Sequence, residues 1–524
     1  MRRPARTRGL FSSVLQNLGL VSLGLVIILP QPAMASYQAA QQLMARRDYV
    51  GAASEYFQSY SSPKSPQEKI YSEWGLGKSL QALGFHYSAS KFFSNIVRRG
   101  PTGMNPYFRR ALEELGAING TVALGQSHIV QLVRGGGVAP ENIPGRARGF
   151  YFYYIGAEAF IQQKFERAGD FFKKVPSGSV YYAKAQFHLG VIANRAGAHS
   201  RAISYFEAAR SASGADAWVR EQANLNIARV HYETKSFTQS LQFYAQIPRE
   251  SDNWLQAIFE ASWAFFLMAK HNNVLGNIHT LHSPFFENRF FPESYILQSI
   301  TYLRLCRYDE VQNSLEKFRD RYKPVFKDLS ALLREYSSRK NDMFKLVYDY
   351  RNGSLNNYRS AWAILDQLSR SDAYKEPSRA FRYADSEIGR LNGMGGKWGS
   401  SGLAEDLKDF LNKKKQVSRS DSGEKLYDQA AAAFEYLRTL SNQTKLIQAD
   451  MFEGRVDSIR RSLNVTQAND RKVFIGGLQP LQLDQQLEYW PFMGEYWEDE
   501  LGYYVYNLDD KCGMPNNKPG NNKK

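Results

Sequence analysis

Residues 186–209 read QFHLGVIANRAGAHSRAISYFEAA. Two short apolar-periodic segments meet here at Gly197. The first carries Leu189 and the small residue Gly190. The second carries Ala202, Phe206 and Ala209, four and three apart, the spacing of one helix face. Two short antiparallel helices approach closely only where a small side chain faces the partner. A large aromatic one turn further on then fills the gap between neighbouring hairpins. The stretch predicts a helical hairpin with a turn at Gly197.

Working outward from Gly190, the same small slot recurs at Ala40, Gly77, Gly116, Gly156, Ala228, Ser262 and Ser299. Twelve residues after each come Ala52, Ala89, His128, Ala168, Ala202, Ser240, Val274 and Val311. Four further on come Tyr56, Phe93, Leu132, Phe172, Phe206, Tyr244, Ile278 and Leu315. The unit around Gly116 fits worst and runs into Gly135-Gly136-Gly137. A fixed period over so long a stretch is the signature of a repeat array. The pattern resembles the tetratricopeptide (TPR) repeat, which has a small residue in helix A, an aromatic at the turn and Ala-x3-aromatic-x2-Ala in helix B. The resemblance implies an all-α, TPR-like solenoid of about eight hairpins over residues 36–320. It also implies ligands on the concave helix-A face, where phasing puts Tyr153, Tyr154, Asn194, Asn226, Arg229 and Trp263 as candidate partner-binding residues. The carboxylate clamp of chaperone-binding TPRs needs Lys and Asn four apart. Here those slots hold Tyr153/Ala157 and Phe187/Val191, which speaks against that ligand class.

Residues 1–35 read as an address. Arg2, Arg3, Arg6 and Arg8 precede the apolar run Leu18–Leu29, and Ala33-Met34-Ala35 offers a signal-peptidase site. The run is shorter than the ~20 residues a bilayer span needs. We therefore expect an exported, periplasmic protein with no integral membrane span after cleavage. The formal charge of +16 falls to +12 for residues 36–524. In an exported protein that excess points to anionic cell-wall polymer, anionic lipid or an acidic protein face, and away from nucleic acid.

Beyond the array, residues 324–350 and 355–391 read as amphipathic helices, and Asn392–Gly402 as a flexible linker. From Ser422 on, apolar residues from Leu426 to Met451 alternate four and three apart. That spacing predicts a long helix laid against another, as a helical hairpin over residues 321–465. Residues 513–524 carry almost no apolar side chain and are expected to be disordered.

Catalytic and metal readings find little support, and neither a cofactor nor a metal is expected. His86, His199 and His271 occupy the turn slot of the repeat. His279-x-x-His282 shares a helical face, with Glu287 or Glu293 as the nearest third ligand. The string Gly393–Ser400 lacks phosphate-loop spacing, because Trp398 follows Lys397. Some wall-lytic transglycosylases join a basic helical superhelix to a catalytic domain, but residues 320–524 carry neither the Glu-Ser pair nor the glycine-rich signature of that domain. The two cysteines, Cys306 and Cys512, exclude a disulfide-dense scaffold. They would pair in an oxidising compartment if the fold brought them together.

Residues 489–506 read YWPFMGEYWEDELGYYVY. Trp490, Phe492, Gly494, Tyr496, Trp497, Asp499, Glu500 and Tyr503 make this a candidate terminal motif, either an aromatic-acidic cap over residues 466–512 that folds back over the solenoid end or a docking string. Signal, repeat array, hairpin and terminal string together resemble envelope TPR proteins associated with adventurous gliding motility. The resemblance implies a non-catalytic periplasmic scaffold or adaptor of a cell-envelope complex. A cell-wall or outer-membrane assembly factor is the alternative, and a peptidoglycan-active enzyme with a helical superhelix stands further off.

Overall fold

The computed structural model describes residues 37–122, 124, 143–465 and 496–512. The signal, the slots at His128 and Leu132, the residues Trp490, Phe492 and Gly494, and the tail beyond Cys512 lie outside the described residues.

Seven helical hairpins follow the expected phase. They are α1 (Tyr37–Ala45) with α2 (Tyr49–Ser61), and α3 (Pro66–Ala82) with α4 (His86–Arg98). After α5 (Phe108–Thr121) come α6 (Gly145–Ile161) with α7 (Phe165–Phe172), α8 (Tyr182–Arg195) with α9 (His199–Ser211), and α10 (Ala217–Glu233) with α11 (Phe237–Tyr244). The series ends with α12 (Trp254–Leu267) and α13 (His271–Leu281), then α14 (Glu293–Arg304) and α15 (Tyr308–Tyr336). The array is an all-α solenoid. Ala52, Ala89, Ala168, Ala202, Ser240, Val274 and Val311, the residues twelve after each anchor, are all fully buried.

The small anchors work within a hairpin rather than between hairpins. A Cβ added at Gly77, Gly156 or Gly190 would sit 2.7, 2.8 or 2.6 Å from the ring of Phe93, Phe172 or Phe206. Each of those rings belongs to helix B of the same unit. The aromatic thus closes its own hairpin, which corrects the expected role.

Each A–B turn has a left-handed residue seven positions after the anchor. These are Arg47, Gly84, Gln163, Gly197, Lys235, Ala269 and Cys306, with φ between 52° and 76°. The amide of the next residue reaches back five residues, as in Phe85 N to Leu80 O at 2.8 Å and Ser236 N to His231 O at 2.8 Å. This is the Schellman closure of a helix C-terminus. Only two of the seven positions are glycine, so the signal was invisible to a search for glycine turns.

The C-terminal third holds the expected antiparallel helix pair within a larger layer that returns to the solenoid. It comprises the second half of α15, α16 (Met343–Arg351), α17 (Trp362–Arg370), α18 (Asp372–Asn392), the short α19 (Gly395–Trp398) and α20 (Leu403–Val465). α20 begins at Leu403 rather than near Ser422, and its 63 residues make a rod of ~95 Å at 1.5 Å per residue. It packs antiparallel to two helices instead of one. Against α15, Gly454 meets Tyr308, and Phe434 stacks on Phe326 with ring centroids 4.3 Å apart. Against α18, Lys415 pairs with Asp385 at 2.5 Å. The stripe from Leu426 to Met451 is the buried face of this layer.

The layer also returns to the second repeat. Glu387 accepts hydrogen bonds from the amides of Tyr87 (2.7 Å) and Ser88 (2.9 Å) and from the Ser88 hydroxyl (2.7 Å). Lys91 pairs with Asp406 at 2.5 Å. The stretch 392–402 is no loose tether. Trp398 is fully buried against Phe85 and donates its indole N–H to Val50 O at 3.0 Å. Gly402, left-handed with φ at 72°, then turns the chain into α20.

Candidate functional site

The returning layer faces the concave side of the solenoid, and a cleft runs between them. Its broadest parts hold 770 and 800 Å³, with a third recess of 540 Å³ beside Tyr436. From the solenoid come Tyr153 on α6, Lys184 and His188 on α8, Trp218 and Gln222 on α10, and Gln256 on α12. From the layer come Arg351, Gln367, Arg370, Lys375, Arg379 and Arg382. An amphiphilic groove of this size, with an aromatic floor and charges of both signs, suits an extended polypeptide or a flexible polar polymer.

A cluster of ion pairs bridges the two walls. Asp252, in the turn before α12, meets Arg370 and lies 3.6 Å from Lys375 and 3.9 Å from Arg289. Asp366 on α17 is 2.8 Å from Arg370 and 3.4 Å from Arg289. Two guanidiniums thus share two carboxylates. Burial, and then the neighbouring Arg370, hold the Arg289 guanidinium below its ordinary value. Along the same cleft, desolvation and then Asp372 push the Glu376 carboxyl up.

His188 lines the same cleft. Its ring stacks on Phe172 at 4.9 Å and 6°, and its Nδ1 is buried without a hydrogen-bond partner among the described residues. Burial holds its pKa down to about 4, with Lys184 adding to the effect.

The six residues phased onto the concave face divide. Tyr153 lines the cleft, half-buried, and stacks on Tyr181 at 5.3 Å. Tyr154 is held in the wall, where its hydroxyl and that of Tyr181 accept from Asn119 at 2.7 and 3.1 Å. Arg229 makes two hydrogen bonds to Glu260, at 2.8 and 2.6 Å, and Asn226 donates to Gln222 O at 2.7 Å. Asn194 donates to Glu233 at 3.3 Å and accepts at 3.0 Å from His199 when that ring's Nδ1 carries the proton. Trp263 packs edge-on against Phe266 at 5.9 Å. The helix phase could not show which of these positions the chain's own neighbours engage. Sequence reading missed Trp218, Asp252, Arg289 and Arg370. Trp218 has a local signal, an aromatic on helix A near the concave phase. The other three become a site only across separations of 37 to 118 residues.

His279 and His282 do not converge on a shared ligand position. His279 stacks on Tyr496 at 4.2 Å, whereas His282 meets the Ser294 hydroxyl at 2.7 Å and stacks on Tyr295 at 3.9 Å. Cys306, Asp510 and Cys512 cluster, but the two sulfurs are bonded to each other across 206 residues. Among the described residues no helix is long and apolar enough to cross a membrane.

Tyr496, Trp497, Asp499, Glu500 and Tyr503 belong to a strap over residues 496–512. The strap lies on α13, in the seventh unit, and runs on to Leu305 and Cys306 in the last unit. Trp497 and Tyr503 remain exposed.

No family profile matches the chain, and no curated protein matches it. Among solved structures the chain is similar to Rap protein complexed with competence and sporulation factor, with 14% identity, 70% of this chain and 100% of that chain covered, and a TM-score of 0.28. A likeness that low decides nothing about function. The solenoid reading rests on the phased repeat and the helix pairing of this chain.

Proposed function

We propose that this protein is a non-catalytic scaffold of the cell envelope that holds partner polypeptides in the cleft between its solenoid and its returning helical layer. The observation that carries the reading is the cleft itself. It is long and mixed in polarity, and the Asp252 cluster bridges its walls between the apolar clusters that join solenoid and layer elsewhere. Export to the periplasm is supported by the leader-like residues 1–35 and by the Cys306–Cys512 disulfide, since disulfides persist in oxidising compartments. The terminal string suggests a gliding-type complex as the setting. A wall-assembly role is a second reading, favoured by the cations Lys184, Arg351, Arg379 and Arg382 in one part of the cleft, which suit an anionic polymer.

The test is a photo-crosslinking amino acid placed at Gln367 in the full chain, expressed in its own cells and analysed from fractionated envelopes. Defined envelope proteins should crosslink at Gln367 and not at the exposed outer position Ser204. Recovery of cytoplasmic proteins alone would remove the export premise. Clearing of a wall-polymer gel by the purified protein would remove the non-catalytic one.

A further inference from the structure

Residues 504–511 of the strap run extended along a helix. The strap's side chains alternate, with Tyr504, Tyr506 and Leu508 facing inward and Tyr503, Val505 and Asn507 outward, the period-two pattern of an extended chain. It runs antiparallel to α13. Near the start of that helix, Asn272 grips the strap three times. Its carbonyl oxygen accepts from Tyr506 N at 3.1 Å, its Oδ1 accepts from Leu508 N at 3.0 Å, and its Nδ2 donates to Leu508 O at 3.4 Å. One turn on, Gly276 leaves room for the strap backbone, because a Cβ there would lie 1.6 Å from Tyr504 O. A turn further, Thr280 Oγ1 accepts from Gly502 N at 2.8 Å. Beyond α13, Lys511 N donates to Leu305 O at 3.0 Å, and Cys512 closes the disulfide with Cys306.

An amide that grips a peptide backbone, a glycine that admits it and a hydroxyl one turn away form a built groove. Main-chain hydrogen bonds supply its affinity, and alternate side chains supply its selectivity. The occupant for which this groove is shaped is carried by every copy of the chain. We propose that the outer face of α13 is a docking site for an extended tyrosine-rich segment, and that residues 501–512 of a second copy occupy it by exchange of straps. After exchange each strap meets on the second copy the same groove residues that it meets on its own chain, as in domain swapping. Residues 466–495 join the strap to α20. Their contour of at most ~100 Å sets the reach. Once Cys512 is bonded to Cys306 of its own chain the strap cannot leave, so exchange precedes that bond; until then the tether favours self-occupancy through effective concentration, and exchange grows with protein concentration. This inference goes beyond the scaffold reading and does not rest on it, since it concerns the outer face and not the cleft.

The experiment mixes two full-length variants, Cys306→Ser and Cys512→Ser, neither of which can form the disulfide within itself. Oxidised glutathione is then added. Joining Cys512 of one chain to Cys306 of the other takes two electrons and two protons from the thiols and yields two reduced glutathiones. The expected product is a covalent heterodimer on a non-reducing gel, with a 306–512 linked peptide identified by mass spectrometry. Its yield should rise with concentration. Asn272→Ala in the groove-bearing chain should cut the yield about tenfold, through loss of two side-chain hydrogen bonds. Gly276→Val should reduce it further; if that variant does not fold, Asn272→Ala stands alone. Only glutathionylated monomers, only Cys512–Cys512 dimers, or a 306–512 yield indifferent to Asn272→Ala would overturn the proposal.

Discussion

Glu387 caps the first turn of α4 from 299 residues away, with both carboxylate oxygens on Tyr87 and Ser88. The first amides of a helix have no partner within it, and an anion there also meets the positive end of the helix dipole. Most capping is local, by a residue next to the helix. Here the cap arrives with the C-terminal layer, so it binds the second repeat to that layer as well as finishing α4. Glu387→Ala should cost about 2–3 kcal/mol, because buried donors lose a charged acceptor. It should also raise protease cleavage within residues 372–402. Urea unfolding with limited proteolysis checks both, and unchanged cleavage would show that the layer is held without this cap.

Gly190→Ala tests the hairpin closure. The added methyl carbon meets the Phe206 ring at 2.6 Å, well inside contact distance. We expect a loss of about 1–3 kcal/mol from overpacking. The double variant Gly190→Ala with Phe206→Leu should recover part of it, read as the urea midpoint of each.

Lys235→Gly should do the opposite. Lys235 holds φ at 61° in the A–B turn of the sixth unit. Left-handed backbone costs an ordinary residue ~1–2 kcal/mol, and glycine's extra chain entropy takes back about half of the gain. The net expectation is a stabilisation of about 0.5–1 kcal/mol, seen as a raised melting temperature. Gln163→Gly, at the matching position of the fourth unit, should behave alike.

Acidification should loosen the cleft wall. In the unfolded chain an imidazole takes up its proton near pH 6.5, whereas folded His188 resists until about 4. Below 6.5 the unfolded state therefore binds more protons. The stability from His188 is complete above pH 6.5 and is lost as pH falls toward 4, by about 2 kcal/mol at pH 5. His282, held down to about 3 by burial, acts in the same direction. Comparing wild type with His188→Phe by urea unfolding at pH 7.5 and 5 checks this. The difference between the two pH values should shrink in the variant.

The repeat was legible because its packing is local. Gly190 and Phe206 lie sixteen residues apart, and the small-to-large pairing recurs at one period, so side-chain size alone announces it. The Schellman turns were not, because Arg47, Gln163, Lys235 and Ala269 accept the left-handed conformation that a glycine would have advertised. Trp398 was hidden for a related reason. Five neighbouring glycines suggest a loose chain, and only the third dimension shows the ring between α4 and the second helix. Glu387, Asp252 and Cys512 draw their meaning from partners 118 to 299 residues distant. No periodicity records such a partner. The concave phase of Tyr153 and Arg229 could be read from the helix alone. That Arg229 is already paired with Glu260 could not.

The return of α18 to the second repeat also sets a timetable. An open solenoid can complete its repeats in the order they are made, since each touches only its neighbours. Here α4 waits for a carboxylate that is synthesised 299 residues after Ser88. At ~5–20 residues per second the delay is roughly 15–60 s. During that interval the early repeats exist with one end uncapped and one face bare. The chain holds its own first third open until its last third is made.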